Sequence, residues 1–280
     1  MRPSVLVIGA TARLAEAGVP SPRNDAEVLL AHVLGVDRGR LVIADVDAAQ
    51  AGEYEALVAR RADREPLQHI LGRAPFGPLD LRVGPGVFVP RPETELLAVW
   101  AARQVGRGAA IVDLCAGSGA LGLYLAATVP AARVALVERD PHALGYLNDN
   151  AAGLAGRVTV LDRDVTAVGL DAEIEAALGG TVDLVVCNPP YVPDGAPLDV
   201  EAALDPAAAL FSGPDGLDLI RSLAPLCTRL LRTGGAVAIE HDDSNGAAAA
   251  ELLAAAGFRD VEQHRDLAGR PRYVTGRMDA

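Results

Sequence analysis

A glycine-rich turn between an apolar strand and a helix is the first feature of the chain able to do chemistry. The apolar residues 109–114 lead into Cys-Ala-Gly-Ser-Gly at residues 115–119. Glycines let a ligand approach the backbone, and the helix that follows points its first N–H groups at the same place. Glu138 ends the next apolar stretch, nineteen residues after Gly119, where a carboxylate can accept hydrogen bonds from both hydroxyls of a ribose. The pattern predicts a nucleoside-binding site.

Two ligands are compatible with this turn. The spacing Gly117-x-Gly119-x-x-Gly122 formally matches the dinucleotide fingerprint. The same arrangement suits S-adenosylmethionine, a nucleoside that carries a sulfonium and an amino-acid tail. Asp113 favours this methyl donor, because a carboxylate at the strand tip helps a cationic tail more than a pyrophosphate. The turn by itself leaves both ligands open, as well as a strand–helix turn that binds nothing.

A second loop, Asn188-Pro189-Pro190-Tyr191, follows the fourth apolar strand. The two prolines have no N–H group, so the loop offers mainly carbonyl acceptors, and the Asn188 side-chain oxygen adds another. Tyr191 supplies a flat face. Such a loop suits a planar NH₂ group, which it can hold in line with a methyl donor by positioning and electrostatic preorganisation. No dedicated general base stands out.

Composition excludes several other chemistries. The chain has 280 residues, and all 25 of its basic residues are Arg. Without Lys there is no Walker A loop, pyridoxal Schiff base or protein kinase site. A net charge of −12 argues against tight, sequence-independent binding to nucleic acid. The three Cys form no C-x-x-C pair and the five His form no H-E-x-x-H motif, so no metal site is expected.

The expected location is cytoplasmic. Three cysteines without a disulfide-like pattern fit a reducing compartment. No run approaches the roughly 18 apolar residues of a membrane span, and the N-terminus resembles no signal peptide.

The elements that must position these loops follow from periodicity. From about residue 95, short apolar strands alternate with helices, which predicts a doubly wound α/β domain with a mostly parallel sheet. The regions around Phe258 and Tyr273 are expected to add an antiparallel pair. Residues 1–74 are expected to form a helical bundle. Between them, Phe76 to Val89 with a turn at Gly84-Pro85-Gly86 predicts a β-hairpin.

Three further motifs give the chain a family resemblance. Asn-Pro-Pro-Tyr is shared by class I S-adenosylmethionine-dependent methyltransferases that act on planar nitrogens. The segments 64–72, 87–95 and 209–218 resemble the PrmC/HemK family, which methylates the glutamine N5 in the Gly-Gly-Gln motif of peptide chain release factors. The resemblance covers nearly the whole chain. It implies a Rossmann-like, mostly parallel seven-stranded sheet, a small N-terminal helical bundle and a connecting β-hairpin.

The same resemblance implies a division of labour. Residues 1–74 would recognise the substrate, 75–94 would form the hairpin linker, and 95–280 would be the methyltransferase domain. The cofactor would be S-adenosylmethionine, released as S-adenosylhomocysteine. The partner would be a release factor, met by a monomer without direct contact to nucleic acid or membrane.

Site residues carry over by position. Asn188, Pro189 and Tyr191 would be catalytic. The glutamine amide would lie against Asn188, Pro189, Pro190 and Tyr191, with Phe88 lining its slot. The donor would be bound by Asp113, Cys115, Ala116, Gly117, Ser118, Gly119, Glu138, Asp164, Val165 and Asn188.

Three positions depart from the family pattern. Cys115 stands where many methyltransferases carry Gly, and Val165 is smaller than the aromatic residue of some members. Glu240-His241 stands where Glu-Ile-Gly is common, so it is given no role.

Other functions remain open at this point. An amino-methyltransferase of nucleic-acid bases could use the same loop on a flipped base, although the charge disfavours it. A nicotinamide-dependent oxidoreductase would leave Asn-Pro-Pro-Tyr unexplained and would lack a Tyr-x-x-x-Lys pair. A scaffold with a vestigial donor site is disfavoured because both loops are intact.

Overall fold

The computed structural model describes residues 1–279, which form two compact units. The smaller unit comprises Met1–Arg73 together with the short segment Leu198–Leu204. The larger unit comprises Ala74–Pro197 and the residues from Asp205 onward. The chain therefore contributes seven residues to the smaller unit shortly after the Asn-Pro-Pro-Tyr loop.

The smaller unit is helical, as predicted. Its helices are α1 (Pro3–Glu16), α2 (Pro22–Leu34), α3 (Ala48–Ala62) and α4 (Leu67–Leu71). Helix α2 begins at a proline, which suits the first turn because N–H groups there have no partner within the helix. The helix ends at Gly35, which has a left-handed φ of 61°. Helix α3 is closed by a capping box between Asp47 and Gln50. Buried aliphatic residues and Tyr54 form the core among these helices.

An ion cluster ties the short segment 198–204 to these helices. Arg61 is 3% exposed and donates from Nε to Asp25 Oδ2 at 2.8 Å. Its Nη2 donates to Glu201 Oε1, also at 2.8 Å, and Arg64 donates to the same oxygen. Because Asp25 is buried as well, the Arg61 charge is compensated within a nearly dry site.

Nine strands lie within the described residues and form two sheets. In chain order they are β1 (Arg73–Phe76), β2 (Leu79–Arg82), β3 (Ala110–Leu114), β4 (Arg133–Glu138), β5 (Val158–Asp162), β6 (Val182–Cys187), β7 (Leu231–Glu240), β8 (Phe258–Arg265) and β9 (Pro271–Met278). The large sheet has the order β5-β4-β3-β6-β7-β9-β8. Its first five members are parallel, and β9 pairs antiparallel with both β7 and β8.

Helices cover both faces of this sheet, which is the doubly wound arrangement predicted. They are α5 (Thr94–Gln104), α6 (Ala120–Thr128), α7 (Pro141–Ala151), α8 (Leu170–Leu178), α9 (Asp218–Leu230) and α10 (Gly246–Ala255). Alternate strand residues enter two separate cores: Ile111 packs with residues of α5, α6 and α7, whereas Val112 packs with residues of α8, α9 and α10. Burial on both faces explains why the central strands are continuously apolar.

The β-hairpin exists, but its predicted turn was wrong. Strands β1 and β2 are joined by Gly77-Pro78, and Gly77 has a φ of 53°. Residues 87–89 form no strand, because the Val87 N–H closes a turn onto Gly84 and the Val89 N–H donates to the Asp205 carboxylate. Two backbone donors that a strand would need are thus used elsewhere.

Among residues 1–279, no helix is long and apolar enough to cross a membrane.

Gly122 tests the close packing beneath the glycine loop. A Cβ at this position of α6 would lie 2.1 Å from Leu136 Cδ2 and 3.0 Å from Asp113 Cβ. We expect Gly122→Ala to destabilise the protein by about 1–3 kcal/mol, because overpacking a filled core outweighs the better helix propensity of Ala. Thermal unfolding followed by circular dichroism measures this.

Gly145→Ala is the matched control. Gly145 is an exposed position of α7 with open space around it, so alanine should stabilise the helix by about 0.5–1 kcal/mol. Shifts of the same sign in both variants would contradict the packing account.

Arg61→Gln tests the ion cluster of the smaller unit. The substitution leaves the buried Asp25 without its charge partner, so we expect a loss of about 3–5 kcal/mol. Arg60→Gln is the control, since Arg60 pairs with Glu65 at the surface and should contribute only about 0–1 kcal/mol. In urea unfolding, Arg61→Gln should have a lower midpoint than Arg60→Gln. Equal midpoints would show that the buried cluster stabilises the protein no more than a surface ion pair.

Candidate active site

The register of four neighbouring parallel strands brings the predicted loops to one edge of the sheet. Leu114 pairs with Val137 on one side and Cys187 on the other, and Cys187 pairs with Ile239. The residues that follow these four stand in a row at the carboxyl edge, and they are Cys115, Glu138, Asn188 and Glu240. Strand β3 lies between β4 and β6, so the row crosses the switch point where open α/β sheets bind ligands.

The glycine loop between β3 and α6 follows an unusual backbone path. Cys115, Gly117 and Gly119 all have positive φ, at 64°, 57° and 93°. A Cβ on Gly119 would lie within 2.7 Å of Leu123 and Leu147, whereas a Cβ on Gly117 would meet nothing within 4 Å. Gly119 is therefore a packing requirement, and Gly117 leaves an open surface beside the backbone. A ligand can use that space.

Asp113 lies beneath this loop and is buried. Its Oδ2 accepts the Gly122 N–H at 2.8 Å, which satisfies a donor in the first turn of α6. Burial raises the pKa of Asp113 to about 7, against the opposing effect of the Gly122 hydrogen bond. Its Oδ1 is buried and has no hydrogen-bond partner among the described residues. A nearby cationic group would stabilise the ionised carboxylate.

Glu138 links the glycine loop to the end of β4. Its Oε2 accepts the Gly117 N–H at 2.8 Å, and its Oε1 accepts the N–H groups of Arg139 and Asp140, each at 2.8 Å. These backbone donors fix the orientation of the carboxylate. Because a carboxylate has about four acceptor sites, it keeps capacity for a hydroxyl of a ligand.

Asp164 and Val165 follow β5 at the same edge. Asp164 accepts hydrogen bonds from Thr166 Oγ1 at 2.6 Å and Arg139 Nη1 at 2.5 Å, and these bonds, that of Thr166 foremost, lower the pKa of Asp164 to about 2. Val165 is half-buried against the core. Arg139 was not identified as a site residue from the sequence. Its position directly after Glu138 could have indicated that it lies at the same edge of the sheet.

The Asn-Pro-Pro-Tyr loop follows β6 and is held by side chains from other elements. Asn188 Nδ2 donates to Thr94 Oγ1, at 3.4 Å, at the start of α5. The Tyr191 hydroxyl donates to Glu240 Oε1 at 3.1 Å, and Pro189 is buried while Pro190 is half-buried. Thr94 and Glu240 were both missed as functional residues.

The predicted segment 209–218 supports this loop from behind. The Val192 N–H donates to the Leu210 carbonyl at 2.8 Å, and the Tyr191 carbonyl accepts from Asn245 Nδ2 at 3.2 Å. A Cβ on Gly216 would lie 2.1 Å from that same carbonyl oxygen, so only glycine fits there. Close packing against the Asn-Pro-Pro-Tyr loop therefore explains the glycine at this position of the segment.

Phe88 packs with Arg91 in the larger unit. The Arg91 guanidinium carbon lies 4.9 Å from the centre of the half-buried Phe88 ring. Arg91 forms an ion pair with Asp205, whose side chain is almost fully buried. Arg91 is therefore anchored to a buried carboxylate and orients Phe88.

The residues fit an S-adenosylmethionine donor better than a dinucleotide. The open side of Gly117, the oriented Glu138 carboxylate and the unpartnered Asp113 oxygen offer space, a hydroxyl acceptor and a negative charge. A pyrophosphate would meet two nearby carboxylates, and no Lys is present to offset them.

Comparison with known families divides the chain in two. The PrmC N-terminal domain family matches residues 6–72, and the methyltransferase small domain family matches residues 84–209.

Curated relatives match over nearly their whole length. The release factor glutamine methyltransferase of Mycolicibacterium smegmatis is 56% identical over 95% of this chain and 94% of its own. The proteins of the same name from Corynebacterium glutamicum and Streptomyces coelicolor are each 49% identical, over 96% and 97% of this chain and 96% of their own.

Solved structures with lower identity share the fold. A methyltransferase from Pyrococcus furiosus superposes with a TM-score of 0.53 at 16% identity, covering 73% of this chain and 91% of that one. The 16S rRNA N2 G1207 methyltransferase of T. thermophilus has a TM-score of 0.51 at 21% identity, covering 74% of this chain and 49% of that one. Together with the matching methyltransferase small domain family, these structures show that the large sheet has a methyltransferase fold. With its N-terminal domain and its full-length relatives, this chain belongs to the release factor glutamine methyltransferase family.

Proposed function

We propose that this protein transfers the methyl group of S-adenosylmethionine to the side-chain amide nitrogen N5 of the glutamine in the Gly-Gly-Gln motif of peptide chain release factors. The observation that carries this is the pairing of β3 with β6, which sets the glycine loop and the Asn-Pro-Pro-Tyr loop side by side. The full-length relatives narrow the acceptor to release factor glutamine.

The donor half of the site comes from β3, β4 and β5. Cys115 to Gly119 enclose the methionine portion, with Ala116 and Ser118 buried in the loop, and Asp113 beneath them contributes negative charge. Glu138 accepts a ribose hydroxyl, and Asp164 and Val165 lie against the adenine. A bound donor supplies an electrophilic methyl group on a sulfonium.

The acceptor half is the loop after β6. Asn188 Oδ1 and the carbonyls of the proline pair accept the two amide hydrogens of glutamine, Tyr191 covers the amide plane, and Phe88 lines the slot. These contacts orient a nitrogen whose lone pair is delocalised and favour its pyramidalisation. The reaction forms the nitrogen–methyl bond as the sulfur–methyl bond breaks, and the nitrogen releases one proton to solvent. S-adenosylhomocysteine leaves.

The smaller unit is proposed to recognise the release factor. Val42 and Ile43 are 90% and 83% exposed, and Ile8 on α1 is 71% exposed, so the smaller unit presents several large apolar side chains to solvent. Ile8 and Val42 line a pocket of about 550 Å³ that also contains Arg23 and Arg38. Such a surface suits the apolar anchor of a protein partner. In this proposal the protein recognises the release factor as a monomer and does not contact nucleic acid.

Asn188→Ala tests the reaction. After incubation with S-adenosylmethionine, mass spectrometry of a release factor should show one added methyl on its Gly-Gly-Gln peptide. The variant should lose about 10²–10³-fold in rate, because the acceptor aimed at the reacting amide is gone. Asn148→Ala, at an exposed position of α7, should retain full activity.

Two results would redirect this proposal. Donor binding without methylation of any release factor would turn the search to nucleic-acid amines. A wild-type protein that does not bind S-adenosylmethionine would contradict the assignment of the glycine loop as the donor site.

Val42→Ser combined with Ile43→Ser tests recognition. We expect KM for whole release factor to rise about tenfold while a short Gly-Gly-Gln peptide is methylated as before, since only the whole factor reaches the smaller unit. Leu267→Ser, which changes a residue 95% exposed in the larger unit, is the control. An equal effect on peptide and whole factor would contradict a docking role.

A further inference from the structure

Glu240 is a buried carboxylate that the proposed reaction does not yet use. It ends β7, where Ile239 pairs with Cys187, so Glu240 and Asn188 continue neighbouring parallel strands. Its side chain is 1% exposed, and burial raises its pKa to about 7. Burying such a group is costly unless hydrogen bonds or nearby charges compensate it.

The surroundings of Glu240 include the two polar side chains of the acceptor loop, Asn188 and Tyr191. Its Oε1 accepts the Tyr191 hydroxyl at 3.1 Å. The Thr94 hydroxyl also favours the charged carboxylate, although only Tyr191 meets Glu240 in good hydrogen-bond geometry. Thr94 Oγ1 in turn accepts from Asn188 Nδ2 at 3.4 Å. The carboxylate thus contacts Tyr191 directly, and the Thr94 hydroxyl that influences its pKa is the one that Asn188 contacts.

The direction of these hydrogen bonds matters for the chemistry. An ionised carboxylate only accepts, so the hydroxyls facing it donate. A Thr94 hydroxyl that points its proton towards Glu240 presents a lone pair to Asn188, and this selects the amide orientation in which Nδ2 faces Thr94. Asn188 Oδ1 then remains available to accept from a substrate amide.

We propose that Glu240 is a positioning residue for methyl transfer, which fixes the Tyr191 ring directly and the Asn188 amide through Thr94. The inference rests on the proposed function, because it concerns the orientation of the same acceptor loop. Glu240 acts through these side chains and does not touch the reacting atoms.

Charged groups around Glu240 shift its pKa in opposite directions. Arg272, on β9, lies close enough to lower the pKa of Glu240, whereas Glu93, before α5, raises it. His241, next along the chain, is buried, and burial lowers its pKa, so it adds no fixed positive charge at neutral pH. Tyr191 and Thr94 also lower the pKa of the carboxylate through their hydroxyls. Glu240 should therefore ionise as the pH rises through about 7.

The test compares Glu240→Gln, Tyr191→Phe and the double variant in steady-state methylation of a release factor. The amide keeps the size of the carboxylate but also donates, so it no longer sets the direction of both hydroxyls. We expect each single change to lower kcat about 10- to 100-fold, with KM and donor affinity within about twofold. Because Glu240 acts through Tyr191, the double variant should lose less than the product of the two.

The pH profile is a second readout that a purely structural role would not move. Wild-type kcat should fall as the pH drops through about 7, the pKa of Glu240, while Glu240→Gln should lose that part of the dependence. Tyr191→Phe keeps the test decisive if Glu240→Gln folds poorly, since it removes only the hydroxyl that contacts Glu240.

The outcomes separate the two proposals. A wild-type protein that does not methylate release factor contradicts the proposed function. An active wild type with an unchanged Glu240→Gln, or with losses that multiply in the double variant, overturns the positioning role alone. A fall in kcat explained by weaker donor binding overturns it as well.

Discussion

The hydrogen-bond ladder between β3 and β6 is the interaction on which the site depends. It pairs Leu114 with Cys187, so the loops that follow both strands begin at the same height of the sheet. A slip of one residue would reverse the side chains of a strand between its two cores. The apolar packing on both faces therefore fixes the register, and the register fixes which loops are neighbours. The positions of both proposed ligands follow from core packing more than from the loops themselves.

Buried carboxylates then organise the edge that the ladder creates. Asp113 satisfies an N–H at the start of α6, and Glu240 holds the Tyr191 hydroxyl. In both cases burial raises the pKa to about 7, so these groups are held close to their ionisation point. Glu138 instead accepts three backbone N–H groups, which orients it for a ligand. A cationic donor suits such an edge, because it adds positive charge where the protein supplies little.

Much of the fold and part of the site could be predicted from the sequence. Alternating strands and helices gave the doubly wound sheet, and Ser21-Pro22 with Gly35 marked the bounds of α2, because these signals are local. The hairpin turn was misplaced, since Gly84-Pro85-Gly86 and Gly77-Pro78 are equally good turns by composition. The use of the Val89 N–H by Asp205, 116 residues away, helps to distinguish them, and composition does not reveal it. The roles of Thr94 and Glu240 escaped prediction for the same reason, because they depend on contacts between distant segments.

A crystal structure with S-adenosylhomocysteine and a Gly-Gly-Gln peptide would test the central claim most directly, which is that one sheet edge presents donor and acceptor to each other. The account predicts the ribose on Glu138, the glutamine amide between Asn188 and Tyr191, and the amide nitrogen facing the donor sulfur. A peptide bound away from the Asn-Pro-Pro-Tyr loop, or a nucleoside bound away from Glu138, would contradict it.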